Sequence, residues 1–169
     1  YVDKEFQKWK AFSKNNQNQD LTFPSTTLLH PYQHMRTEQD FNRWLTKQFY
    51  ETTNKNCVVQ RIETTTSNGV PDLLVITQDI CFLIESKFET IKVRPEQSAF
   101  QIKVNEITKG LNHPCVCVTL SAYPKTKKLI VNIFDKSAIT DDGVKCTKTL
   151  LFTLDNEGFK EFYNYFPRT

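Results

Sequence analysis

Asp72 and Glu85 are the residues of this sequence whose types and spacing most suggest chemistry. Asp72 opens one apolar run and Glu85 closes the next, with only the polar turn 77–79 between the runs. If residues 78–79 form a two-residue loop, the runs pair as a hairpin that puts Asp72 opposite Glu85. Facing carboxylates repel each other, and a divalent cation between them turns that repulsion into binding.

Lys87 adds a cation to the two carboxylates. It lies two residues after Glu85, and alternate residues of a strand point to the same face. Two carboxylates and an ammonium group at one end of a hydrophobic hairpin suit phosphoryl transfer. A simpler alternative stays open, because Gln78-Asp79 is not a favoured turn and a three-residue loop would shift the register. Glu85 and Lys87 would then form a solvated ion pair.

A helix before the hairpin can supply a third carboxylate. The pattern predicts that it begins after Thr37, a good N-cap, and runs to about Glu51. Glu38 shares the stripe formed by the apolar residues Phe41, Trp44, Leu45 and Phe49. A glutamate in the first turn favours the helix dipole without any function, but its alignment with the stripe lets it reach a site. Glu51 and Glu63 are alternatives for the same role.

A second helix follows the hairpin. It is predicted from Pro95 to about Lys109, with Gly110 ending it. One of its faces carries Gln97, Phe100, Val104 and Ile107. A polar amide therefore opens an otherwise apolar stripe, just after the acidic hairpin. Gln97 is for this reason a candidate site residue.

The remaining elements complete a mixed α and β pattern. Predicted strands cover residues 57–63, 115–120, 129–134 and 149–154. A last helix, capped by Asp155 or Asn156, carries Phe159, Phe162, Tyr163 and Phe166. At the start of the chain we expect a helix over about 3–13, a polar linker over 15–20 and an irregular segment over 21–35. His30 and His34 in that segment are interpreted as surface or packing residues.

Composition limits the class of protein. A chain of 169 residues, 24% charged and 38% hydrophobic, fits one globular domain, and its net charge of +3 permits an anionic partner. No apolar run reaches the ~20 residues that span a bilayer, and no secretory signal is visible. Five cysteines, an odd number set mostly in apolar runs, favour reduced thiols. We therefore expect an intracellular protein of a reducing compartment.

A zinc site is a weaker alternative. His113, Cys115 and Cys117 are close in sequence, but no second ligand pair with zinc-site spacing follows them. The alternation of cysteine and valine over residues 115–118 is more simply a buried strand.

Several short motifs occur in one order along the chain: Glu38, Gly69-Val70-Pro71-Asp72, Glu85-Ser86-Lys87 and Arg94-Pro95-Glu96-Gln97. Together they resemble the PD-(D/E)xK nuclease superfamily, and within it the virus-type replication-repair nuclease (VRR-NUC) modules. The likeness covers about residues 37–120. It implies an α/β, restriction-endonuclease-like fold, a mixed β-sheet flanked by helices. Residues 1–36 would add an N-terminal helical extension, and residues 121–169 the strands and helix that complete a single domain.

The resemblance also implies an activity, the metal-dependent hydrolysis of DNA phosphodiester bonds. Asp72 and Glu85 would bind Mg²⁺ or Mn²⁺, with the backbone carbonyl of Ser86 as a further ligand. Lys87 would position the attacking water or stabilise the charge that develops. Glu38 and Gln97 would shape the site from the two helices. Some relatives act on branched or flapped DNA.

Other functions remain open. An endoribonuclease of the same superfamily usually has a histidine ligand, and no histidine lies within the hairpin motif. A binding module that merely keeps the fold would gain nothing from paired carboxylates facing phosphate. Candidate phosphate contacts are Lys92, Arg94, Lys125, Lys127 and Lys128, although the last three suit a solvated basic loop equally well. A further hypothesis is that the protein forms a homodimer. Another is that it is a nuclease of a phage or mobile element and acts in the cytoplasm of an infected host cell.

Overall fold

The computed structural model describes residues 35–62 and 69–168. Along the chain it has α1 (Glu38–Thr52), β1 (Cys57–Arg61), β2 (Leu73–Thr77), β3 (Cys81–Phe88), α2 (Pro95–Ile107), β4 (Cys115–Tyr123), β5 (Lys128–Ile133), β6 (Ile139–Thr140), β7 (Gly143–Val144), β8 (Lys148–Thr153) and α3 (Asn156–Tyr165). The helix predicted over residues 3–13, and also His30, His34 and Glu63, lie outside the described residues.

The strands form one mixed sheet in the order β1-β2-β3-β4-β5-β8, and β6 and β7 form a separate small hairpin. Only β3 and β4 are parallel within the sheet; the other neighbouring strands are antiparallel. A parallel pair needs a crossover connection, and α2 provides it. The predicted order of helix, three strands, helix and strand between residues 37 and 120 is confirmed, whereas the β6–β7 hairpin was not predicted.

The pairing of β2 with β3 has the register expected from a two-residue loop. Leu73 lies opposite Ile84, and the N–H of Thr77 donates to the carbonyl of Ile80 at 2.9 Å. The Thr77 hydroxyl accepts the N–H of Ile80 at 3.0 Å, which helps this unfavoured turn to close. Asp72 and Glu85 are the next residues beyond the Leu73–Ile84 pair, so the predicted approach of the two strand ends is present.

One face of the sheet is covered by α1 and α3 through an aromatic core. Phe82 of β3 lies at its centre, with ring centroids 5.5 Å from Phe49 of α1, 5.4 Å from Phe162 and 5.7 Å from Phe166. The predicted apolar face of α1 is fully buried here, as expected. Thr37 caps α1 and Asp155 caps α3, each accepting a backbone N–H from the first turn.

The other face carries α2, and the apolar residues of its predicted stripe do not all pack against the sheet. Ile107 is 67% exposed, and Gln101 and Asn105 contact the sheet instead. Gln101 donates to the hydroxyl of Thr119 at 2.7 Å, and Asn105 exchanges two hydrogen bonds with the backbone of Cys117. Because β4 presents polar groups on this face, the amide side of α2 packs better than its apolar stripe. No helix within the described ranges is long and apolar enough to cross a membrane.

Candidate active site

The paired carboxylates and the lysine lie at the sheet edge where β2 begins and β3 ends. The carboxylate of Asp72 accepts the backbone N–H of Ser86 at 2.9 Å, which ties it to β3. The ammonium group of Lys87 lies 3.5 Å from Oε1 of Glu85. The structure therefore brings together the three residues that sequence spacing grouped.

Gln97, at the start of α2, contacts two of these groups. Its Nε2 donates to Oε1 of Glu85, while its Oε1 accepts from Lys87 Nζ at 3.0 Å and from the N–H of Arg94 at 2.9 Å. The side chain is only 3% exposed. All the hydrogen-bonding atoms of its amide thus point at defined partners, which holds Glu85 and Lys87 in one arrangement.

Gly69 lets the segment that carries Asp72 approach α2. Its φ is +84°, a left-handed conformation that favours glycine. A Cβ at this position would overlap the backbone carbonyl of Glu96. The glycine of the Gly-Val-Pro-Asp motif is therefore needed for contact between this segment and the first turn of α2.

Asn42 of α1 is a site-supporting residue that sequence reasoning missed. Its Oδ1 accepts the hydroxyl hydrogen of Ser86, and both side chains are buried. Ser86 in turn holds Asp72 through its backbone N–H. A polar residue between the buried Phe41 and Trp44 was the available signal. Through this chain of contacts α1 supports the position of Asp72.

The electrostatics of the site disfavour ionised carboxylates. Burial, followed by the charge of Asp72, raises the pKa of Glu85 to about 7, although Lys87 opposes the shift. Burial also raises the pKa of Asp72, against the hydrogen bond from Ser86 and the charge of Lys87. Glu38 is exposed at the surface, but partial desolvation by its neighbours and then the charge of Asp72 raise its pKa. A cation placed among these groups would relieve this cost.

Glu38 is the carboxylate that α1 directs toward the site. The charge of Asp72 raises the pKa of Glu38 and the charge of Lys87 lowers it, so both groups are close enough to act on this carboxylate. Its expected place on the buried stripe was wrong, however, because it is exposed at the first turn, before the buried part of α1 begins. Glu51 lies in the last turn of α1, where it pairs with Lys47 at 3.2 Å, so it is not brought to the site.

The residues present fit a hard divalent cation. Oε2 of Glu85 is buried and has no hydrogen-bond partner, so an oxygen ligand is left over. Across residues 35–62 and 69–168, no group of three or more His, Cys, Asp or Glu side chains is arranged to hold a metal ion. Mg²⁺ keeps several of its waters and is commonly bound through one or two carboxylates, which Asp72 and Glu85 can supply.

The zinc alternative gains no support around His113. Nδ1 of His113 lies 3.7 Å from Sγ of Cys81, and Nε2 lies 3.1 Å from the carbonyl of Thr77. These contacts lie at the end of the sheet where β3 begins, away from the carboxylates.

The basic candidates lie near the same sheet edge as the carboxylates. Lys92 and Arg94 are exposed in the segment between β3 and α2, and Arg94 pairs with Glu96 at 3.4 Å. Lys125 and Lys127 lie in the turn between β4 and β5 and Lys128 begins β5; all three are exposed. This turn shares the edge because β3 and β4 run parallel.

Arg61 is a second residue that the sequence analysis overlooked. It ends β1 opposite Leu73, beside Asp72. Its charge lowers the pKa of both Asp72 and Glu38, against the larger effect of burial. A cation at the end of the strand before the hairpin was the signal in the sequence.

No protein-family model matches this sequence, and no curated protein matches it either.

Proposed function

We propose that the chain is a metal-dependent deoxyribonuclease with a PD-(D/E)xK site on a restriction-endonuclease-like fold. The observation that carries the proposal is the meeting of Asp72, Glu85 and Lys87 at one sheet edge, where Oε2 of Glu85 is buried without a partner. The six-stranded mixed sheet with helices on both faces is compatible with that fold. Paired carboxylates beside a half-buried ammonium group are costly in an apolar sheet unless a cation and a phosphate use them.

Each residue of the site has a role in this proposal. Asp72 and Glu85 would hold Mg²⁺ or Mn²⁺, with the carbonyl of Ser86 as a further ligand. Such an ion, when bound, lowers the pKa of a water molecule and offsets the charge of the scissile phosphate. The N–H of Ser86 orients Asp72, and Gln97 orients Glu85, so both carboxylates are held before the substrate arrives.

Lys87 would act on the reacting atoms. Its ammonium group is held by Gln97 and Glu85, and it can donate to the attacking water or to a phosphate oxygen. A hydrogen-bond donor that is already in position stabilises the transition state most where negative charge develops during the reaction. Glu38, exposed at the rim, would position water from the side of α1.

The direct test is cleavage with Mg²⁺ or Mn²⁺ on single-stranded, duplex, forked, flapped and four-way DNA, with RNA in parallel. Asp72→Asn and Glu85→Gln should each lose activity by a factor on the order of a hundred or more, since each removes a carboxylate charge. Glu51→Gln is the matched control, because Glu51 lies at the other end of α1. Full activity of both site variants would contradict the proposal.

The same panel separates the alternatives. Cleavage of RNA alone would assign an endoribonuclease, and binding without cleavage would assign a non-catalytic module. A homodimer would let two sites cut both strands of a duplex. Light scattering of the protein with and without duplex DNA tests that arrangement.

A further inference from the structure

Basic side chains lie on both sides of the carboxylates along one edge of the sheet. In strand order, Arg61 ends β1, Asp72 precedes β2, Glu85 lies near the end of β3, and the turn 124–127 follows β4. All four positions share this edge, because β1 and β2 are antiparallel, β2 and β3 are antiparallel, and β3 and β4 are parallel.

Arg61 is tied closely to the carboxylate side of this edge. The next residue, Ile62, donates its N–H to the carbonyl of Asp72 at 2.8 Å. The guanidinium group of Arg61 is near enough to both Asp72 and Glu38 to favour their charged forms. Arg61 is partly accessible, so a ligand at the sheet edge can reach it.

The lysines lie on the opposite side. Lys128 begins β5 opposite Tyr123 of β4. The N–H of Glu89 donates to the carbonyl of Ala122 at 2.9 Å, so the ends of β3 and β4 stay paired at this edge. Lys127 has a φ of 55°, which turns the chain tightly between β4 and β5. The side chains of Lys125, Lys127 and Lys128 are exposed.

The dimensions suit a nucleic-acid backbone. Neighbouring strands are about 4.8 Å apart, so the four intervals from β1 to β5 measure roughly 19 Å across the sheet. The register places Lys128 five residues further along the strands than Arg61, roughly 17 Å, so the two are separated by about 25 Å on the diagonal. Each strand of a DNA duplex has one phosphate per ~3.4 Å of helix axis, which corresponds to about seven phosphates over this distance. The carboxylates lie between the two groups of cations, where the cleaved bond would be.

We propose that the nucleic-acid backbone crosses this edge along the strand order, with Arg61 binding phosphate on one side of the cleaved bond and Lys125, Lys127 and Lys128 binding it on the other. This inference rests on the proposed function, because it gives the substrate of the same site its path. Arg61 suits the position nearest the carboxylates, since a guanidinium group can bind phosphate through two parallel hydrogen bonds.

The test uses DNA in which one phosphate at a time, other than the cleaved one, is replaced by a neutral methylphosphonate. Affinity is measured with Ca²⁺, and single-turnover cleavage with Mg²⁺. For the wild-type protein, neutral linkages on both sides should weaken binding on the order of tenfold each. Arg61→Gln should abolish this sensitivity on one side only. The triple variant of Lys125, Lys127 and Lys128 to glutamine should abolish it on the other.

Two further variants make the result decisive. Arg61→Lys keeps the charge and should retain part of the sensitivity, which separates phosphate binding from a folding defect. Lys145→Gln changes an exposed lysine between β7 and β8, near the opposite end of the sheet, and should keep the wild-type pattern.

The outcomes separate this inference from the proposed function. If the wild-type protein cleaves DNA but Arg61→Gln remains sensitive to neutral linkages on both sides, the proposed path of the backbone is overturned and the proposed function is not. Loss of sensitivity at the same linkages in both the Arg61 and the lysine variants would also overturn it. A wild-type protein that neither binds nor cleaves any nucleic acid overturns both.

Discussion

Lys87 and Gln97 are joined by a hydrogen bond of 3.0 Å from Nζ to Oε1. The same oxygen accepts the N–H of Arg94 at 2.9 Å. Because both neighbours are donors, the amide nitrogen of Gln97 has to face Glu85. One side chain of α2 thereby sets the positions of a cation and a carboxylate on β3.

Lys87→Ala should separate catalysis from binding. An ammonium group has no lone pair for a metal, so Mn²⁺ and DNA affinity should stay near the wild-type values. The single-turnover rate should fall on the order of a hundredfold or more, because a donor to the developing charge is lost. Lys87→Arg should restore little of the cleavage rate, because the charge of a guanidinium group is spread over several atoms. Lost affinity with an intact rate at saturation would make Lys87 a phosphate-binding group instead.

Gln97→Leu should weaken metal binding through Glu85. The change removes the hydrogen bonds that the amide makes to Glu85 and Lys87, which costs about 1–3 kcal/mol of unfolding free energy. Gln101→Leu is the matched control, because this second buried amide of α2 bonds Thr119 rather than the carboxylates. Both variants should lose stability in urea unfolding, but only the first should lose Mn²⁺ affinity in calorimetry. Equal losses of affinity would remove the specific role of Gln97.

The stability of the metal-free protein should fall as the pH rises. The pKa of Glu85 is about 7 in the folded protein and its ordinary value is 4.5, so between these values the folded state binds more protons than the unfolded state. The free energy of unfolding should therefore decrease across this window, by about 2–3 kcal/mol in total. The raised pKa values of Asp72 and Glu38 act in the same direction.

Urea unfolding in EDTA between about pH 5 and pH 8 measures this slope. Glu85→Gln should flatten it and should be more stable than the wild type at the upper end. Glu51→Gln changes an exposed glutamate that pairs with Lys47, and it should retain the wild-type slope. A wild-type stability that increases across the window would contradict the assignment of a buried, protonated Glu85.

Gly69→Ala should disturb both stability and metal binding. Its Cβ would overlap the carbonyl of Glu96, and the backbone would keep an unfavourable positive φ. Gly110→Ala is the control, because Gly110 has a φ of +79° but no atom within 4 Å of an added Cβ. Gly110→Ala should cost about 1 kcal/mol from the backbone conformation alone, and Gly69→Ala clearly more. Equal costs in urea unfolding would show that the approach to α2 does not matter.

Local sequence patterns determined the elements and the pairing at the centre of the sheet. The apolar runs on either side of residues 78–79 predicted the hairpin, and the structure has the register of the two-residue loop rather than the shifted one. Thr37 and Asp155 marked the starts of α1 and α3. These features depend on residues close in sequence, so periodicity and capping predict them.

Two of the groups beside the carboxylates, Arg61 and Asn42, were decided only by the tertiary structure. Arg61 approaches Asp72 because β1 pairs with β2, and Asn42 reaches Ser86 because α1 packs on β3. The packing face of α2 could not be read from its apolar stripe, because the polar side of β4 selected the amides of α2, including Gln101. A helix or strand carries its own periodicity in the sequence, but its partner is chosen by contacts between residues far apart in the chain.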